Sequence, residues 1–261
     1  MKAQQPADPT MPPEAVMAAA LHVDALQRSG IPGERLAGDL RPDRPADGWR
    51  IQRAASALRA KPVIGWKCGL PQPDRWIVAA LHEQLPAGQV VNAPAVTEGH
   101  ARVEPELAFV LRHDLPPREA PYTPAEVDLA IASTHLAIEV LGCRFAEAPL
   151  ASGSELMADS LWHHTLVLGE AITRPVPNEF VMEICRDGQA PTLSRGRHPD
   201  GNPRLALYWL GEFLRQQGPG LRAGQTVITG SLAGVVELPF GQATVFRFGE
   251  LGELSLSAKP L

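Results

Sequence analysis

From Val63 onward the chain runs in short apolar segments rich in β-branched and aromatic residues, closed by glycine or proline, with few helical stretches between them. Strands spaced this closely cannot all be joined by the helical crossovers that parallel pairing needs. The pattern predicts an α+β fold whose core is a mixed, mostly antiparallel rolled β-sheet rather than a doubly wound one. Late strand candidates cover 225–229, 234–239, 243–248 and 253–257, with turns at Gly241-Gln242 and Gly249 to Gly252.

Before residue 60 the texture is helical. Val16, Ala20, Val23 and Leu26 recur at helical spacing after Pro12-Pro13-Glu14, and Ser29-Gly30-Ile31-Pro32 stops that helix. A second begins near Asp47, carries Ile51, Ala54, Ala55 and Leu58 on one face, and ends at Lys61-Pro62. Residues 1–60 thus read as an N-terminal helical cap on a core of 61–261, the two forming one functional unit. Residues up to about Thr10 are polar and proline-rich and are expected to be loose. Thr123-Pro-Ala-Glu126 is a capping box that opens a helix leading into the segment around Glu139. Asn202-Pro203 caps a late helix expected to turn Leu205, Tyr208, Trp209 and Phe213 inwards.

Several function classes are disfavoured by composition. A hydrophobic content of 44% over 261 residues supports one large core, and a net charge of −5 argues against nucleic-acid or anionic-membrane partners. Cys68, Cys143 and Cys185 are odd in number and scattered through apolar segments, as buried thiols of a reducing compartment are. No run approaches the length of a membrane span, so a soluble, cytoplasmic protein is expected.

The chemistry concentrates in three glutamates. Residues 102–110 read as a strand, and side chains at i and i+2 share a strand face, so Glu104 and Glu106 point the same way. Glu139 is the lone acid of another apolar run, 135–141. Buried carboxylates cost several kcal/mol each unless neutralised. A hard divalent cation with oxygen ligands neutralises them and keeps positions for a substrate. The same spacing also fits acids alternating outward on half-exposed strands. Residues 63–68 form another strand candidate, with Val63, Gly65 and Lys67 on one face; Lys67 reads either as a site lysine or as an edge lysine facing solvent.

Taken in order, Gly65-Trp-Lys-Cys-Gly-Leu70, Arg102-Val-Glu-Pro-Glu-Leu-Ala-Phe109, Ala137-Ile-Glu-Val140, Ala158-Asp159, Leu221-Arg-Ala-Gly224 and Thr229-Gly-Ser231 resemble the 2-keto-4-pentenoate hydratase and 4-oxalocrotonate decarboxylase branch of the fumarylacetoacetate hydrolase superfamily. Ala46-Asp-Gly-Trp-Arg-Ile-Gln52 and Gly201 to Leu210 extend the resemblance over nearly the whole chain. It implies Mg²⁺ or Mn²⁺ held by Glu104, Glu106 and Glu139. It further implies Lys67 and Asp159 as catalytic residues, and Thr229, Gly230 and Ser231 beside the substrate carboxylate. The implied reaction adds water to a 2-hydroxy-alkadienoate, the enol of a 2-oxo-alkenoate, through an enolate that the metal stabilises. Lys67 would donate to the developing oxyanion or move a proton, helped if burial near the cation lowers its pKa. A homo-oligomer, with possible association with a related decarboxylase or hydratase, is implied by the resemblance alone. For Asp159 a turn or capping role is the alternative.

Departures from the family's pattern keep other reactions open. Pro71 to Val78 lacks the lid motif, Gly142-Cys143-Arg144 follows the third glutamate in place of Asp-Ser-Arg, and Ser160 follows Asp159. The alternatives are 2-oxo acid decarboxylation, acylpyruvate C–C hydrolysis and an inactive partner subunit. Hydrolysis would need His82 and Glu83 poised over the metal, on a segment that reads as a lid helix. His163 and His164 are adjacent, so on a regular strand they face opposite ways. His135 shares the face of Glu139 and is a candidate to orient it. The 195–201 stretch looks like a polar hairpin loop.

Overall fold

The structure, a computed structural model, describes residues 10–72, 75–95 and 99–261. The loose N-terminal tail expected from sequence falls on residues 1–9, outside the described residues, as do Pro73 and Asp74 of the altered lid stretch.

The two early helices form as their periodicity dictates. Helix α1 spans Pro13–Ser29 and ends on Gly30, whose left-handed φ of 68° closes the C-cap; α2 spans Pro45–Leu58 and starts two residues before Asp47, with proline in its first turn. They pack on each other through Val16, Ala19, Val23, Ile51 and Ala55, and the same cluster takes in Phe145, Ala148 and Ala158 from the core. Gln52 ties α2 to the sheet, donating to the carbonyls of Val78 and Met157 and accepting from the amide of Ala80. The shorter helices α3 (Pro124–Ala130) and α4 (Gly153–Ala158) both open on complete capping boxes, at Thr123 and Ser152. Helix α5 spans Arg204–Gln217. Its buried stripe is Ala206, Leu207, Leu210, Phe213 and Leu214. Leu205, expected to face inwards, is 39% exposed instead, because the stripe runs one residue further along the turn.

The strands are β1 (Gly65–Gln72), β2 (Arg75–Leu81), β3 (Gln84–Pro86), β4 (Val90–Ala93), β5 (His100–Leu111), β6 (Ile131–Leu141), β7 (His163–Ala171), β8 (Phe180–Arg186), β9 (Thr192–Gly196), β10 (Thr226–Ile228), β11 (Val236–Pro239), β12 (Thr244–Phe248) and β13 (Glu253–Pro260). Eight form one sheet in the order β2-β1-β10-β5-β6-β7-β3, with β11 also on β5; five form a second sheet, β4-β13-β12-β8-β9. Three pairings, β1–β10, β3–β7 and β4–β13, are parallel and the others antiparallel. The mixed, mostly antiparallel sheet expected from sequence is therefore the observed one. The expected lid helix at 81–84 is instead the link between β2 and β3.

Alternation sorts the large sheet into two faces. One face buries Trp66, Cys68 and Phe109 against α5, and Leu107, Ile138 and Val140 against Met182, Phe246, Phe248 and Leu254 of the small sheet. The other face carries Lys67, Glu104, Glu106 and Glu139 over a floor of Leu81, Ala108, Ala137, Leu166 and Ile228. Gly65 starts β1 because the backbones meet there. A Cβ at this position would lie 2.1 Å from the Thr226 carbonyl oxygen of β10. Gly65→Ala is predicted to destabilise the protein by about 1–3 kcal/mol through overpacking. Urea unfolding checks this, and an unchanged midpoint would contradict the close approach.

Candidate metal and proton-transfer site

The β5–β6 register builds the site. Glu104 lies directly opposite Glu139, and Glu106 opposite Ala137, so two carboxylates face each other across the ladder with a third one pleat away. One carboxylate oxygen from each of the three can be chosen so that all lie within 4.8 Å of one another. Glu106 and Glu139 are buried and Glu104 is half-buried. Like charges directly opposite on a sheet repel, so this cluster opposes folding unless a cation compensates it.

Lys67 supplies one positive charge. Its Nζ donates to Glu139 Oε2 at 2.8 Å and to the Leu161 carbonyl at 3.1 Å. It lies on a strand between β2 and β10, so the edge-lysine reading is set aside. Burial works to lower its pKa, but the charges of Glu139 and Glu104 outweigh burial and hold the ammonium above its ordinary value. Burial also acts to raise Glu139, yet Lys67 and a hydrogen bond from His163 hold its carboxyl below the usual range. Glu106 is pushed well above that range by burial and by the charges of Glu139 and Glu104; burial and Glu139 raise Glu104.

This donor set fits a hard divalent ion. Three carboxylates against one ammonium leave a formal charge of −2 on a largely buried face, and every candidate ligand atom is an oxygen. One further donor is already committed to the cluster: the Gly230 amide donates to Glu106 Oε2 at 2.8 Å. Pro105 explains how that amide gets there. Its carbonyl accepts from the Leu232 amide at 2.7 Å, so its backbone edge faces the gap between β10 and β11, where the 229–232 loop crosses. A proline in mid-strand removes no bond from the β6 ladder there.

The other sequence-predicted residues are placed less centrally. Thr229 is buried, with its carbonyl and Oγ1 at 3.1 and 3.2 Å from His198 Nε2, and Ser231 Oγ donates to the Gly234 carbonyl at 2.9 Å. Of the 229–231 loop, the Gly230 amide is the group that touches the acids. Asp159 ends α4 and accepts from the Arg144 amide at 2.8 Å, with Arg144 Nε 3.6 Å away. Its partners are those of a structural turn, one step removed from the cluster. His135 spends its ring on Ser133 and the Gly169 carbonyl, not on Glu139. His82 bonds Ser56 and Pro62, and Glu83 pairs with Lys61 at the surface, so this pair does not form the water-activating dyad that C–C hydrolysis needs. Burial raises the thiols of Cys68 and Cys143, the latter to about 12, in keeping with inert buried cysteines.

Two contacts escape sequence periodicity. His163 Nδ1 lies 2.8 Å from Glu139 Oε1. Buried His198, from what reads as a polar hairpin loop, has its pKa lowered by burial and donates from Nε2 to the Thr229 carbonyl. His198 also lines a cavity of about 490 Å³ together with Leu107 and Phe109, which lies on the face of β5 opposite Glu104 and Glu106. Among the described residues no helix is long and apolar enough to cross a membrane.

No protein-family model matches the chain. A 2-keto-4-pentenoate hydratase of Burkholderia vietnamiensis is 30% identical over 199 residues, 74% of this chain and 72% of that protein. Another of the same name, from Paraburkholderia phymatum, is 29% identical over 220 residues, covering 82% and 80%. Among solved structures, 4-oxalocrotonate decarboxylase from Pseudomonas putida G7, complexed with magnesium and adipate, superposes with a TM-score of 0.76 at 19% identity, over 97% of this chain and all of that one. Sequence and fold agree: the chain belongs to the 2-keto-4-pentenoate hydratase family, enzymes of the hydro-lyase type built on the fumarylacetoacetate hydrolase fold.

Proposed function

We propose that the protein hydrates a 2-hydroxy-alkadienoate, the enol of a 2-oxo-alkenoate, with Glu104, Glu106 and Glu139 holding Mg²⁺ or Mn²⁺. The observation that carries this reading is the opposed Glu104–Glu139 pair with Glu106 one pleat away, all facing one buried lysine. A 2-oxo acid offers a carboxylate and a carbonyl oxygen for chelation; a divalent cation held by the three glutamates would supply Lewis-acid stabilisation of negative charge on the 2-oxygen.

The residues do the rest. Lys67, as an ammonium fixed between Glu139 and the Leu161 carbonyl, holds a proton at Nζ beside the carboxylates. From there it serves either the substrate 2-oxygen or the carbon that gains a proton as the enol becomes a keto acid. Nζ regains the proton that the enol loses from its 2-oxygen; water adds its OH at the far end of the conjugated system and its second proton goes to the carbon beside the 2-oxo group, so one H₂O is consumed and nothing leaves. The Gly230 amide orients Glu106, and the buried Thr229 backbone holds that amide in place. The apolar floor of Ala108, Ala137 and Ile228 excludes bulk water from beneath the acids. Asp159 acts in this reading through Arg144, by fixing the loop that follows β6. A homo-oligomeric assembly belongs to the same reading.

Offered 2-hydroxy-alkadienoates with Mg²⁺, the protein is expected to bleach the dienol absorbance without releasing CO₂. CO₂ release would replace hydration by decarboxylation, and pyruvate or acetate fragments would replace it by hydrolysis. Glu106→Gln is expected to abolish turnover with the fold retained by circular dichroism; retained turnover would remove Glu106 from the ligand set.

The raised Glu104 and Glu106 give a second expectation. A carboxyl raised on folding binds protons more tightly in the native state, so its contribution to stability is greatest at low pH. That contribution falls as pH climbs from the unfolded value through the folded one. The stability of the metal-free wild type relative to Glu104→Gln should therefore fall as pH rises above the ordinary carboxylate range, and Mg²⁺ should restore it by binding only the folded state. Glu104→Gln, by removing the charge opposite Glu139, should stabilise the metal-free protein by up to about 1 kcal/mol and abolish the Mg²⁺ effect. Thermal melts across pH with and without Mg²⁺ check both signs; equal Mg²⁺ stabilisation of the variant would contradict them.

A further inference from the structure

Between α4 and β7 the backbone does something unusual. Ser160, Leu161 and Trp162 have φ values of 63°, 50° and 67°, three consecutive non-glycine residues in the left-handed region. Such residues are disfavoured because Cβ crowds the following carbonyl, and they persist only where surrounding structure enforces them. Here the enforcement is visible. The Ser160 amide donates to the Met157 carbonyl, the Leu161 amide to the Leu156 carbonyl, the His163 amide to the Ser160 carbonyl, and the Gly142 amide to the Trp162 carbonyl.

The turn delivers two groups to the acidic face. The Leu161 carbonyl accepts from Lys67 Nζ at 3.1 Å. The residue after the turn, His163, starts β7, where the register with β6 slips: Val140 faces Thr165, but Leu141 faces His163. Two residues of β7 advance the ladder by only one on β6, which is a β-bulge, and bulges re-aim side chains beside functional sites. Leu141 shares the face of Glu139, so the slip puts His163 on that face too. His164 goes elsewhere, with its Nε2 3.0 Å from the Asn92 carbonyl.

His163 is 3% exposed and its Nδ1 lies 2.8 Å from Glu139 Oε1. An ionised carboxylate only accepts, so Nδ1 carries the hydrogen. Nε2 has no hydrogen-bond partner among the described residues. The bond to Glu139 is therefore the ring's one polar tether, and Glu139 is gripped at both oxygens, by Lys67 on Oε2 and His163 on Oε1. Donors on both oxygens hold the carboxylate against rotation, while one oxygen each of Glu104, Glu106 and Glu139 stay within 4.8 Å of one another.

We propose that His163 is a positioning residue: brought into register by the left-handed Ser160–Trp162 turn and the adjoining bulge, it donates from Nδ1 to Glu139 and fixes the carboxylate in the orientation that receives a divalent cation. The role rests on the metal reading above, and partners that orient ligands in this way are worth roughly 10- to 100-fold in metal affinity.

Mn²⁺ binding to the purified, substrate-free protein, followed by calorimetry and by the Mn²⁺ electron paramagnetic resonance signal, tests it with no turnover required. His163→Leu should weaken Mn²⁺ binding roughly 10- to 100-fold. His163→Asn, whose amide N–H occupies the Nδ1 position, should recover most of the loss, and His163→Gln, which reaches the Nε2 position, should not. Equal affinity in wild type and a folded His163→Leu variant would overturn the positioning role while leaving the metal site intact. A wild type that binds no Mn²⁺ would overturn the metal reading and this role together. Should the leucine variant not fold, long-range ¹H–¹⁵N correlation on the wild type decides: a proton on Nδ1 supports the proposal, and a ring protonated at Nε2 alone overturns it.

Discussion

Two acids set face to face across an antiparallel ladder, with a third one pleat away, are what the rest of this structure is arranged around. Glu104 opposite Glu139 is a repulsive pair in any sheet, and the low exposure of Glu106 and Glu139 removes the water that would screen it. Each neighbouring feature offsets part of that cost. Lys67 and His163 take the two oxygens of Glu139, and the Gly230 amide takes one of Glu106. What they leave, two negative charges in excess over the single ammonium, matches a divalent ion in sign and size.

Delivery of those partners depends on backbone irregularities. Pro105 turns its donor-less edge to a gap in the sheet, and the 229–232 loop crosses that gap to present an amide. Gly65 allows β1 to approach β10 closely enough that Lys67, two residues on, reaches across the face. A left-handed turn and a bulge bring a carbonyl and an imidazole from the far side. A regular sheet of the same order would keep the three acids and lose most of what holds them.

Those irregularities also decide what could be read in advance. Strict strand alternation made it legible that Glu104 and Glu106 share a face wherever the strand lay; that Glu139 joins them was implied by the family resemblance alone. Lys67 was legible as a choice between site and edge, and only strand order, with β1 between β2 and β10, settles it. The helix boundaries at Gly30 and Thr123 followed from capping chemistry that is local in sequence. His163 was not legible, because alternation assigns adjacent residues to opposite faces and says nothing of a bulge that resets the count. No glycine or asparagine marks the left-handed turn, since tertiary hydrogen bonds rather than propensity enforce it. His135 failed for the converse reason: it has the right spacing, but Ser133 and the Gly169 carbonyl claim its ring. Leu205 failed because an amphipathic stripe can shift by one residue without changing the helix.

The most direct test of the central claim is a crystal of the protein grown with Mn²⁺, measured at a wavelength where manganese scatters anomalously. The account predicts one strong anomalous peak about 2.1 Å from an oxygen of each of Glu104, Glu106 and Glu139, with Lys67 and His163 still on Glu139. A crystal in which the three carboxylates carry no peak, or in which the metal binds elsewhere on the chain, would contradict it.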